Sequence, residues 1–291
     1  MTGVDRRQGR DLPLDAHLHT ELSHDSDVRI DAFAEGALAL GVRELAITDH
    51  VDFAPDAPGF GSTTFEQRER YVRQAAERWA PSGLAIRFGV EITWDRAWAA
   101  DIRDHLDRHA YDFVIGSVHV YADSVYSAAN VAAWCDGRDL AAIVAPYFDE
   151  VVAGAQSGLF DVMGHIDFVK RFLVPHVTPA QLAGAPELYE PILDALLEGG
   201  TGLEINTSGW RTPAEESFPS PAIVRRFREK GGRAITVGSD AHRPEHLAWA
   251  LDDGYDAALD AGFDALTFRR GGDRVAVPLA LAPNATAGRS L

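Results

Sequence analysis

The sequence predicts one α/β domain, a parallel barrel one βα unit short of eight with its helices outside. Three observations carry that prediction. Seven short apolar runs rich in β-branched residues alternate with alanine-rich amphipathic segments, the pattern of repeated βα units. The chain has 291 residues, a length normal for an α/β barrel. Six of its 11 histidines fall where an apolar run stops, so groups of one chemistry can meet at one rim.

The expected strands are 13–18 (PLDAHL), 44–48 (ELAIT), 85–92 (AIRFGVEI), 112–118 (DFVIGSV), 160–164 (FDVMG), 201–206 (TGLEIN) and 233–239 (RAITVGS). Helical spacing fits segments near 30–40, 64–80, 96–109, 138–154, 187–199, 220–230 and 245–262. Pro179, Pro221 and Pro244 stand just inside three helix starts, where the missing amide N–H costs nothing. Gly41, Gly199–Gly200 and Gly231–Gly232 stand where helices should stop. The segments 51–63 and 120–137 read as βα loops over the active face. Residues 1–12 are expected as an N-terminal extension, 13–270 as the barrel domain and 271–291 as a tail, with room for a short hairpin from 266 onward.

Composition narrows the function classes. A net charge of −17 argues against a protein that lives on nucleic acid, because phosphate backbones demand clustered Lys and Arg. A local cationic pocket stays open to it. The one cysteine, Cys135, forbids an internal disulfide and fits a reducing compartment. The N-terminal MTGVDRRQGRDLPLD has no apolar core of a signal peptide, and no apolar run reaches the ~18 residues that a membrane span needs. The expectation is a soluble cytoplasmic protein. No GxSxG elbow, GxxxxGK[ST] loop or GxGxxG turn is present, so the chemistry must run through metal and water.

The motifs agree. His17-Leu18-His19 puts two imidazoles on one face of a strand, since side chains alternate. Asp15 shares that face and is expected to fix an imidazole from behind. Asp49-His50 ends the second strand and Glu91 the third, after an apolar FGV. A glutamate there needs a cation, either a metal or an arginine such as Arg87 or Arg96. His119 and His165 end the fourth and fifth strands, Glu204 the sixth, and Asp240 and His242 the seventh. In barrels that end carries catalysis. His105 and His109 read as an exposed helix face, and His176 and His246 as solvated or capping. His24 lies in a loop that can approach the site. Trp210, beside Ser208 and Arg211, is placed to line a substrate pocket.

Taken in order, DAHLH, TDH, GVE, SVH, GHID, EINTSG and SDAH resemble the polymerase-and-histidinol-phosphatase (PHP) superfamily, and within it the monofunctional histidinol-phosphate phosphatase branch. The resemblance runs from about residue 13 to about 265. It implies a distorted (β/α)7 TIM-like barrel and three divalent ions, Zn, Mn or Fe. By position, His17, His19, Glu91 and Asp240 would hold the first. Glu91 would bridge to a second held by His119 and His165. Asp25, His50 and His242 would hold the third. GHIDFVKRF makes Arg171 the candidate phosphate contact, with Lys170 a weaker neighbour, and Asp167 and Asp52 candidate acids. The implied activity is hydrolysis of a small phosphorylated substrate, L-histidinol phosphate, by a metal-activated hydroxide, in histidine biosynthesis. Another phosphoester substrate, or amidohydrolase chemistry on the same kind of barrel, stands as the alternative. The alanine-rich loop 120–137 departs from the pattern and leaves substrate identity less fixed than the metal centre.

Overall fold

The structure, a computed structural model, describes residues 12–270 and 272–279. Its strands are β1 (Asp15–Leu18), β2 (Glu44–Ile47), β3 (His50–Val51), β4 (Ala85–Thr93), β5 (Phe113–Ser117), β6 (Val162–Met163), β7 (Gly202–Asn206), β8 (Ile235–Gly238), β9 (Ala265–Arg270) and β10 (Asp273–Pro278). The helices are α1 (Ile30–Leu40), α2 (Phe65–Trp79), α3 (Ala99–Arg108), α4 (Val131–Cys135), α5 (Leu140–Gln156), α6 (Lys170–Leu173), α7 (Pro179–Ala183), α8 (Glu190–Gly199), α9 (Pro221–Glu229) and α10 (Leu251–Asp260).

Seven strands pair in parallel in the order β1-β2-β4-β5-β6-β7-β8, and β3 adds to β4 beyond β2. Both faces of these strands are covered, which is why they read as apolar runs rather than alternating ones. Two backbone hydrogen bonds join the ends into a ring: His19 N–H to the Ala241 carbonyl (3.0 Å) and Ala241 N–H to the His17 carbonyl (3.4 Å). The barrel is therefore the expected (β/α)7 form, distorted at the β1/β8 seam.

Local signals set the helices around it. The Thr64 side chain accepts from Gln67 N–H while the Gln67 side chain accepts from Thr64 N–H, opening α2. Gly41 ends α1 at φ +79°, where a side chain would strain the turn. On α9, Ile223, Val224 and Phe227 share the buried face. The expected helix at 245–262 splits into a short turn at 244–246 and α10, because Ala248 and Ala250 take positive φ.

The hairpin β9–β10 pairs antiparallel, Phe268 opposite Val275. It closes the bottom of the barrel, where the strands begin. Phe268 packs on Phe113 at the start of β5, with ring centroids 4.7 Å apart. Arg269 pairs with Asp161 at 2.5 Å, and Arg270 pairs with Glu44. The strand 273–278, expected within a tail, is thus half of that plug.

Candidate metal centre

The opposite rim gathers the histidines. β1 alternates, so His17 and His19 both face the barrel axis and both are fully buried. Their Nε2 atoms stand 3.0 Å apart. Two ring nitrogens turned toward one point can share an N–H or hold a cation between them. Glu91, at the end of β4, supplies charge from two sides. Its Oε2 lies 3.3 Å from both His17 and His19 Nε2 and 3.1 Å from His50 Nδ1. Its Oε1 lies 2.9 Å from His165 Nε2 and 3.4 Å from His119 Nε2. Asp240 Oδ1 stands 3.5 Å from His19 Nε2 and 3.4 Å from His242 Nδ1. Asp25 Oδ2 stands 3.3 Å from His50 Nε2 and 3.1 Å from His242 Nε2.

Three clusters in this array could each hold a divalent ion: His17, His19 and Asp240; His50, Glu91 and His119; and His19, Asp25, His50 and His242. Mixed imidazole and carboxylate donors suit Zn, Mn or Fe. Electrostatics divides the two imidazoles: burial works against charge on His17, but Glu204, Glu91 and Asp240 raise it well above its usual value. Burial, with the neighbouring His242 and His50, pushes His19 down to about 3, so its ring stays neutral. Burial alone would raise the Glu91 carboxyl, but His17, His50 and His119 hold it well below its usual range. Burial works against Asp240 in the same way, and His17, His19 and His242 outweigh it.

Side chains behind the donors hold them in place. Glu204 Oε1 meets His17 Nδ1 at 2.6 Å. His242 Nδ1 faces the Asp240 carbonyl at 3.1 Å. Thr93 Oγ1 lies 3.0 Å from His119 Nδ1 and donates to Asp52. Asp240 itself has φ +52°, a strained setting typical of functional sites. Arg211 steadies it, donating to the Ser239 and Asp240 carbonyls at 3.0 Å each.

The cluster floors a cavity of about 390 Å³. Arg171, Arg211 and Arg243 stand on its walls with Phe168, Ser208 and Thr212. The Arg171 guanidinium makes no hydrogen bond or ion pair with any described residue; it lies 5.7 Å from the Phe168 ring centroid. An electropositive wall above a floor that collects cations is a receptor for an anion.

A model of the PHP domain matches residues 15–208. The chain belongs to the PHP family. Its similarity to individual PHP proteins extends past that span. A "probable histidinol-phosphatase" of Deinococcus radiodurans is 32% identical over 259 residues, 88% of this chain and 96% of that protein. The histidinol-phosphatase of Lactococcus lactis subsp. lactis is 28% identical over 235 residues, 79% and 84% of the two chains. A Lactococcus lactis histidinol phosphate phosphatase, solved with zinc, L-histidinol and phosphate, shares the fold, with a TM-score of 0.79 and 24% identity over 91% of this chain and 99% of that one.

In this PHP barrel all nine residues expected as ligands converge. The grouping differs in detail, since His50 rather than His165 clusters with Glu91 and His119, and His19 reaches the Asp25 cluster. Other candidates stand elsewhere. Asp15 does not touch an imidazole side chain; its carboxylate accepts from Ser239 N–H (2.8 Å) and Ala248 N–H (3.1 Å) and braces the seam. Asp167 is fully buried, bonded to Tyr189 OH (2.8 Å) and Lys170 Nζ (2.9 Å), and is not on the cavity wall. Lys170 is spent on Asp167 and Glu216. Asp52 lies in a smaller adjoining cavity that shares His119 with the main one, and its oxygens accept from Thr93, Tyr121 and Gly59. Trp210 does not line the main cavity, whereas its neighbours Ser208 and Arg211 do. His246, expected as solvated, is on the wall with Arg243. His24 stands beside His50, ring centroids 5.1 Å apart. His105 bonds Tyr111 OH at 2.9 Å and His109 stacks on Phe65, so that pair is packing. Among the described residues no helix is long and apolar enough to cross a membrane.

Proposed function

We propose that the chain is a metal-dependent phosphomonoesterase that hydrolyses L-histidinol phosphate to L-histidinol and phosphate, a step of histidine biosynthesis. The observation that carries the reading is the pairing of nine convergent donors with three arginines across one cavity. The names of relatives similar over most of the chain supply the substrate.

The residues divide the work. His17, His19 and Asp240 would hold one ion, His119 and His165 a second, and Asp25, His50 and His242 a third. Glu91 would bridge the first two, because its oxygens already face different imidazoles. Bound divalent ions supply Lewis-acid activation of water and neutralise phosphoryl oxygens. Arg171 has its donors free for a bidentate grip on the phosphate, with Arg243 beside it. Arg211 fixes the Asp240 backbone and adds positive charge to the same wall. Asp52 acts behind His119 rather than on substrate: it accepts the hydrogen bond that the Thr93 hydroxyl donates, which leaves a Thr93 lone pair for His119 Nδ1–H. Asp167 ties Lys170 and Tyr189 beneath the wall that carries Arg171.

The test is phosphate release from metal-loaded protein, comparing L-histidinol phosphate with p-nitrophenyl phosphate and a panel of nucleotides. A preference of about a thousandfold in kcat/KM, roughly 4 kcal/mol of transition-state discrimination, supports the substrate. Weak, even rates across the panel would move this PHP site to another phosphoester.

A further inference from the structure

An imidazole has two ring nitrogens, and the partner of one decides what the other offers. At His242 that partner is a backbone carbonyl, which only accepts, so Nδ1 keeps its proton. At His119 it is Thr93, whose own proton is committed to Asp52. At His17 it is a full carboxylate. Glu204 comes from β7, one strand beyond β8 in the ring, is wholly buried, and is committed at both oxygens. Oε1 meets His17 Nδ1 at 2.6 Å. Oε2 accepts from the His165 backbone N–H at 2.9 Å and from Asn206 Nδ2 at 3.1 Å. Asn206 Nδ2 also lies 3.2 Å from Asp240 Oδ2.

Space for this carboxylate is made by glycine. A Cβ on Gly238 would stand 2.3 Å from His17 Cβ and 2.9 Å from Glu204 Oε1. A Cβ on Gly164 would stand 2.5 Å from Ser117 Oγ and 3.3 Å from Glu204 Oε2. Among the described residues Glu204 forms no ion pair with a lysine or arginine. A buried carboxylate needs a fixed counter-charge, and His17, with one ring nitrogen on Glu204 and the other in the ligand cluster, is the group placed to carry it.

We propose that Glu204 is the positioning residue of the buried half of the centre: it fixes His17 as the Nδ1–H tautomer, with Nε2 facing the ion, and sets Asp240 and His165 around it. The proposal rests on the metal-hydrolase reading above. It makes the centre unequal, since Glu204 touches His17 and the His165 backbone and reaches Asp240 through Asn206, with no bond to Asp25, His50 or His242.

Glu204→Gln keeps the shape but turns an amide donor either toward His17 Nδ1 or toward both the His165 N–H and the Asn206 amide. Titration of the metal-free full-length variant with Zn or Mn should show affinity weakened about 10–100-fold at the His17 side, with the Asp25–His50–His242 ion retained. Turnover of p-nitrophenyl phosphate should fall in kcat more than it rises in KM. A second measurement needs no variant. In Zn-loaded wild type labelled with 15N-histidine, His17 should show a protonated Nδ1 and a metal-bound Nε2. Unchanged titration of Glu204→Gln, or a metal-bound Nδ1 on His17, overturns the role. If Glu204→Gln does not fold, the wild-type spectrum decides. Both readouts are free of substrate, so a wild type that binds ions but hydrolyses no phosphate ester overturns the functional reading alone.

Discussion

Glu91 has no spare oxygen: one side faces His17, His19 and His50, the other His119 and His165. Removing it leaves five imidazoles without their shared negative charge. Glu91→Ala, and equally Asp240→Ala, should strip metal and lower kcat by at least about a thousandfold (~4 kcal/mol), checked by elemental analysis beside turnover. Full metal content with full activity would sink the ligand assignment. Arg171→Ala should behave differently. A charge-assisted hydrogen bond is worth about 1.5–3 kcal/mol, so kcat/KM for phosphate esters should fall roughly 10–100-fold with metal content intact. The donors were legible in the sequence because a strand end is a fixed address, and His or Glu after an apolar run has few bland explanations. Arg211 and Arg243 were not singled out, since an arginine in a loop reads as solvated until the fold turns it inward. Asp167 was misread because Tyr189, which bonds it from a distant segment, leaves no trace in its own motif.

At the scale of elements, the seven barrel strands were readable because burial on both faces makes them apolar runs. The long helices were readable from periodicity and from their Gly and Pro punctuation. The pieces missed are short: α4 and α6 have five and four residues, below the length at which helical pattern separates from loop. α6 matters, because it carries Arg171 and is tied to the loop after β7 by Lys170, which reaches Glu216 at 2.6 Å and the Ser217 carbonyl at 3.0 Å. Lys170→Met should cost about 3–5 kcal/mol, because it leaves Asp167 buried without its cation. Adding Asp167→Leu should recover part of that loss, and equilibrium denaturation of the single and double variants reads the coupling. β8 offers a sharper test. Gly238→Ala drives a methyl into His17 Cβ. About 1–3 kcal/mol of stability should be lost, together with metal on the His17 side, as seen in the melting temperature and the zinc content.

Over the whole molecule, the two ends of the barrel have opposite tasks. The bottom is sealed by the β9–β10 plug, with Arg269 and Arg270 paired to acids at strand starts. The top gathers Glu91, Asp240 and Asp25 among six imidazoles, donors from separate strands and loops that a bound ion would tie together. Chelator treatment should therefore lower the melting temperature, and re-addition of ions should restore it. At a free concentration 100 times Kd each site adds about 2.7 kcal/mol. An unchanged melting curve on metal removal would separate the centre from stability.

The seam gives that coupling a mechanical meaning. β1 and β8 are held by two backbone hydrogen bonds and the Asp15 brace, an isolated bridge between Leu18 and Ala241 standing in place of a ladder. His17 and His19 stand on one lip of it, Asp240 and His242 on the other. An ion shared by His17, His19 and Asp240 is thus a rivet across the slit. Filling it turns an open stave into a hoop, and hydrogen exchange at the amides of His19 and Ala241 should slow most when the rivet is in.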